Sequence, residues 1–118
     1  PTLGDLLKYE APNLYSREPA TVAAGQNLPL GAVVGRVTAT GKLEALDPSA
    51  TDGTEVAAGV LGNDVDATLI DRDDAILIAR HAIVARGALV WPASITAAQR
   101  AAAIAKLESL GILVRDSA

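Results

Sequence analysis

The chain has no cysteine, no methionine and no phenylalanine, and its only aromatic residues are Tyr9, Tyr15 and Trp91. Without cysteine there are no disulfides, zinc ribbons, iron–sulfur clusters or thiol nucleophiles. A single histidine, His81, excludes His-cluster metal sites and HExxH zinc proteases. No apolar run approaches the roughly 20 residues of a membrane span, and no signal-peptide pattern opens the sequence as given. A formal net charge of −4 argues against a nucleic-acid-binding surface. What remains is 118 residues, enough for one domain, with half of them apolar. Much of that apolar content is alanine, 24 residues in all. An alanine-rich core without phenylalanine buries little area per residue, so stability is expected to be supplemented by oligomerisation.

The charge is concentrated. Residues 1–43 carry a net +1, residues 44–74 a net −8 and residues 75–118 a net +3. The acidic middle reads first as solvated loops. Asn63-Asp64-Val65-Asp66 begins a row of oxygen ligands, but Ala67 and Thr68 break it and no glycine follows, so a calcium loop is not supported. Glycosidases usually grip sugar rings with aromatic surfaces, which are scarce here. No GxSxG elbow surrounds any serine, and Gly59 and Gly62 fit no phosphate-binding pattern. His81, beside Leu77 and Ile83, reads as a packed or strand-edge histidine. No catalytic, metal or cofactor site is assigned.

Residues 1–19 form an N-terminal arm. Leu3, Leu6 and Leu7 have helical spacing, Pro12 stops the turn, and Pro19 closes the segment. With Tyr9, Leu14 and Tyr15 they supply large apolar groups that need a surface to cover them, either the arm's own domain or another protein. Residues 20–118 read as one β-rich domain. Strands are expected at Ala20–Ala24, at Ala32–Ala39 with a bulge at Gly35, and at Lys42–Leu46 after a Thr40-Gly41 turn. Further strands are expected at Val56–Leu61, Ala75–Ala79, Ile83–Ala85 and Ala88–Trp91. Gly59 permits close backbone approach, and Asp64–Asp74 is an acidic connection around Leu69-Ile70. Thr96 and Gln99 form a capping box for a helix over about 97–110, with Ala97, Ala101, Ile104, Leu107 and Leu110 on its apolar face. Gly111 supplies the C-cap, and Ile112–Val114 a last strand. Trp91-Pro92 is either a core plug or an interface anchor.

Two runs then stand together: Thr51-Asp52-Gly53 leading to Val56-Ala57-Ala58-Gly59-Val60-Leu61, and Leu89-Val90-Trp91-Pro92. With Val22-Ala23-Ala24-Gly25-Gln26, Gly31, Gly35-Arg36-Val37-Thr38 and the helix into Leu110-Gly111-Ile112, they resemble the head decoration proteins of tailed bacteriophages. The resemblance covers roughly residues 20–115, and the arm matches by position and role. It implies a β-clip-like, partly open small barrel with one C-terminal helix and a flexible N-terminal arm. It also implies a homotrimer at three-fold sites outside an expanded capsid, made in the host cytoplasm. There it would clamp neighbouring major capsid proteins against internal DNA pressure, with neither nucleic acid nor membrane as a partner. The acidic middle would face outward and keep a crowded protein layer soluble. Leu3, Leu6, Leu7, Tyr9, Leu14 and Tyr15 would anchor the arm on the shell, and Trp91 and Pro92 would serve the core or the trimer interface. Deleting residues 1–15 would then leave a soluble trimer unable to decorate. The competing readings are a trimeric carbohydrate- or surface-binding virion module and a small hydrolase using His81.

Overall fold

Glycine turns and short β-branched runs divide the chain into ten strands and one long helix; the computed structural model describes residues 2–116. A single helical turn, α1 (Leu3–Leu6), leads into β1 (Leu7–Glu10). After a 3-10 turn at Pro12–Leu14 come β2 (Arg17–Val22), β3 (Gln26–Leu28), β4 (Val33–Arg36) and β5 (Leu43–Ala45). Next are β6 (Ala57–Leu61), β7 (Val65–Ala67), β8 (Arg72–Ile78) and β9 (Ala82–Ala85). A 3-10 turn at Arg86–Ala88, α2 (Ala97–Ser109) and β10 (Ile112–Arg115) complete the chain.

Five strands form a ring in the order β2-β5-β4-β6-β8. Four of its seams are antiparallel ladders or short pairings, but β2 meets β5 only at Val22 and Leu43. The ring is therefore a partly open barrel, as the resemblance implied. That weak seam explains Pro19, which lies inside β2 opposite Ile76 rather than closing the segment before it. At Pro19 only β8 lies alongside, so the missing N–H leaves no ladder bond unmade.

Two apolar clusters fill the fold, and neither has an aromatic residue among its buried members. One lies within the ring and includes Val22, Val34, Leu43, Leu61 and Leu77. The other, including Leu6, Val60, Ile78, Val84, Leu107 and Ile112, joins the ring to α1, α2 and the sheet β1-β9-β10. Close approach substitutes for bulk. A Cβ on Gly59 would lie 2.5 Å from the Ile78 carbonyl oxygen, and one on Gly35 would lie 2.5 Å from the Thr54 Cα. The ladder shifts register between Val34 and Gly35, at the expected bulge.

Local signals for α2 are met closely. The Thr96 hydroxyl accepts from the Gln99 N–H at 3.1 Å, and the Gln99 side chain accepts from the Thr96 N–H at 2.9 Å. Gly111 takes φ +85, the left-handed cap conformation. The buried face differs from the expected one: Ala103 and Leu107 are buried, Ile104 and Leu110 are half-buried, and Ala97 and Ala101 are exposed. Alanine on nearly every side of the helix gave the periodicity little contrast.

Other elements also differ. Ala88–Trp91 is not a strand: it is a 3-10 turn followed by one parallel bridge, Ala32 to Val90. Val33 N–H donates to the Val90 carbonyl at 3.1 Å, and Pro92 then ends the pairing for want of a donor. Asp64–Asp74 is not all connection, because β7 pairs with β3 and β8 begins at Arg72. Val65 and Ala67 are buried around exposed Asp66, a period-two pattern that the surrounding acids obscured. The N-terminal segment, read as a flexible arm, is paired with the domain here: β1 lies antiparallel to β9, and Leu6 has no solvent exposure.

Candidate interaction surface

The six apolar residues assigned to docking separate into two groups. Leu3, Leu6 and Leu7 turn inward onto the cluster that contains Leu107 and Ile112. Tyr9, Leu14 and Tyr15 face solvent, at 53%, 58% and 54% exposure. The cause is the bend between them. Leu3 to Leu6 is one helical turn, which sends Leu6 into the core, and β1 then carries Tyr9 opposite Ile83.

Beyond β1 the chain makes a small loop, residues 11–16, closed at its base. Arg17 donates to both carboxylate oxygens of Glu10, at 2.8 and 2.7 Å. That guanidinium holds the Glu10 carboxyl below its usual range. Inside the base, the Ala11 N–H donates to the Ser16 hydroxyl at 2.9 Å. The fully buried Ser16 donates in turn to the His81 carbonyl at 2.7 Å, and the Ala79 N–H donates to the Ser16 carbonyl at 2.8 Å.

His81 is neither packed in a core nor on a strand edge. It occupies the turn between β8 and β9 with φ +48, and its exposed ring lies 5.2 Å from the Tyr15 ring at a tilt of 47°. Its flanking apolar residues suggested a strand, but the chain reverses there. Arg80 places its guanidinium 5.2 Å from the Tyr15 ring centroid and donates to the Tyr15 carbonyl at 2.7 Å. Sequence reading did not connect Tyr15 with Arg80 and His81, because no local pattern signals a contact across 65 residues.

Trp91 and Pro92 are half-buried. The indole packs against the Leu107 cluster while the Arg100 guanidinium lies 5.6 Å from its ring centroid. Leu69 and Ile70 are the most exposed large apolar side chains among the described residues, at 89% and 66%. They cap the β7–β8 connection. The acids around them act mostly as local staples. Asp71 accepts from the Ala24 N–H and from Lys42 Nζ at 2.8 and 2.6 Å, and this lowers its pKa. Asp64 accepts from the Leu30 N–H at 2.7 Å, and Asp66 accepts from the Thr68 hydroxyl and N–H. Among the described residues no three carboxylate or imidazole groups converge as a metal site.

The surface therefore presents apolar and aromatic side chains on a hydrogen-bonded base, an arrangement suited to binding another protein. No curated protein matches the chain at a significant level. The family model described as bacteriophage lambda head decoration protein D matches residues 1–112, from the N-terminal segment through the capped helix to the start of β10. A match over nearly the whole chain, on a β-rich fold with one C-terminal helix, places this protein in the phage lambda head decoration protein D family, whose members are structural components of the virion.

Proposed function

We propose that the protein decorates the outside of an expanded phage capsid as a homotrimer at three-fold sites, and there clamps neighbouring major capsid proteins against internal DNA pressure. The observation that carries this reading is the family match across residues 1–112. The surface supports it. Exposed Tyr9 and Tyr15 offer apolar contact with polar tips, exposed Leu14 adds a purely apolar contact, and exposed Leu69 and Ile70 offer a second patch for association between copies. Three weak contacts on one trimer become intramolecular after the first, so the assembly binds far more tightly than one copy.

The structure changes how the arm would act. Leu6, with Leu3 and Leu7 beside it, fastens the segment to its own domain, and docking falls to the exposed side chains that follow. Truncation through residue 15 would remove Leu6 from the core, so substitution of exposed residues is the cleaner test. Light scattering should give three times the 12.0 kDa chain mass. Heads packaged without the protein should burst under milder heat than decorated ones. A monomer with no effect on head rupture would overturn the reading.

A further inference from the structure

We propose that the homotrimer closes head to tail, the Leu69-Ile70 tip of each copy seated in the cleft between α2 and residues 46–57 of the next. The inference rests on the homotrimer reading and names the two faces that meet in it.

Symmetry sets the requirement. A two-fold contact joins one patch to itself, whereas a three-fold ring needs two different, complementary patches on every chain. This chain exposes both. The tip carries the most exposed large apolar side chains among the described residues. Its flanks hold it outward: Asp66 accepts from the Thr68 hydroxyl and N–H, and Arg72 donates to the Asp66 carbonyl at 3.4 Å. On the other side Asp71 is tied to the Ala24 N–H and to Lys42.

The cleft is a separate surface and shares no lining residue with the tip. Leu46, Val56, Ala57, Ala102, Ala103 and Lys106 line it. Alanines on α2 create it, since a methyl group leaves space that a longer side chain would fill. Its volume is about 260 Å³. A cavity of roughly 150 Å³ already admits benzene, so a large aliphatic side chain fits. Val56 stands exposed at the lip. Each ring would bury three tips in three clefts, supplementing the alanine-rich core of a small domain.

Charge selects a second copy as the occupant. Asp66, Asp71, Asp73 and Asp74 flank the tip in sequence. Among the described residues, exposed Asp73 and exposed Lys106 take part in no ion pair. Glu55, the acid of the cleft wall, is turned onto the Gly53 N–H at 2.8 Å. An acidic tip thus meets a lysine that has no carboxylate partner of its own, and opposite charges face each other across the junction.

The test uses variants at exposed positions: Leu69→Ser combined with Ile70→Ser for the tip, and Ala102→Glu for the cleft. Glutamate is a strong helix former, so α2 should persist while the cleft gains bulk and a charge repelled by the tip. Circular dichroism should match the wild type for both. At a concentration where the wild type scatters light as three chains, each variant alone should scatter as one. Mixed at high concentration, the intact cleft of the serine variant should take the intact tip of the glutamate variant once. The mixture should therefore give a two-chain particle and no three-chain one. Lys106→Glu should weaken trimerisation roughly tenfold or more, most strongly at low salt. A trimer retained by the tip variant or by the cleft variant would overturn the inference, as would a mixture that stays monomeric. A variant that keeps its trimer but loses capsid binding would give that face to the shell, again overturning it. A monomeric wild type would remove the homotrimer reading and the inference with it.

Discussion

The Ser16 hydroxyl donates to the His81 carbonyl at 2.7 Å while accepting from the Ala11 N–H at 2.9 Å, wholly out of solvent. One small side chain thus joins the N-terminal segment to the β8–β9 turn. Ser16→Ala would leave a donor and an acceptor without their partner. It should cost about 1–3 kcal/mol, read as a lower melting temperature. An unchanged melting curve would show that the join is not structural.

Acid should loosen the same loop. Arg17 holds the Glu10 carboxyl below its usual range, so the folded state binds a proton less readily there than the unfolded chain does. The resulting stabilisation is complete above the unfolded glutamate value, about pH 4.3, and is lost as pH falls through the lower folded value. Both tyrosines lie in the N-terminal segment and the single tryptophan lies elsewhere, so the two chromophores report separately. Near-ultraviolet circular dichroism should show the tyrosine bands fading at higher pH than the tryptophan band. Glu10→Gln should abolish that offset.

Leu6 and Leu14 should behave oppositely. Leu6 is fully buried beside the Leu107 cluster, whereas Leu14 is largely exposed. Leu6→Ala should therefore cost about 2–5 kcal/mol in chemical denaturation. Protein that remains folded should still bind capsids, because Leu6 makes no outward contact. Loss of capsid binding without loss of stability would return Leu6 to the docking surface.

Glycine substitutions test the close packing that replaces aromatic bulk. In Gly59→Ala the new methyl would meet the Ile78 carbonyl oxygen at 2.5 Å and Leu77 Cδ1 at 2.8 Å. Overpacking of this kind costs about 1–3 kcal/mol. Gly87 has no neighbour within 4 Å of the same methyl and no positive φ, so Gly87→Ala should be neutral or stabilise by about 0.4–1 kcal/mol. Thermal melting of the pair should separate them clearly.

These residues also show where the sequence was legible. Thr96, Gln99 and Gly111 act through bonds to near neighbours, so their spacing alone located α2. The burial of Leu6 depends on a core assembled from distant strands, which the leucine spacing does not encode. The alternation of Val65 and Ala67 around Asp66 was present but was outweighed by the acids around it. Trp91 stood out by rarity, yet the Arg100 that covers it came from the next element. His81 was misread because its apolar neighbours suggest a continuous strand, whereas the chain reverses there through a left-handed conformation that histidine adopts more readily than most side chains. The shortage of aromatics proved to have a spatial meaning, since both tyrosines are exposed and the Trp91 ring is only half-buried, against the edge of one core cluster.

The central claim is that this chain coats a capsid. Purified protein mixed with expanded empty capsids of the parent phage and sedimented through sucrose tests it directly. The account predicts saturable co-sedimentation, levelling at one trimer per three-fold site. Protein left wholly in the supernatant at saturating capsid concentration would contradict it.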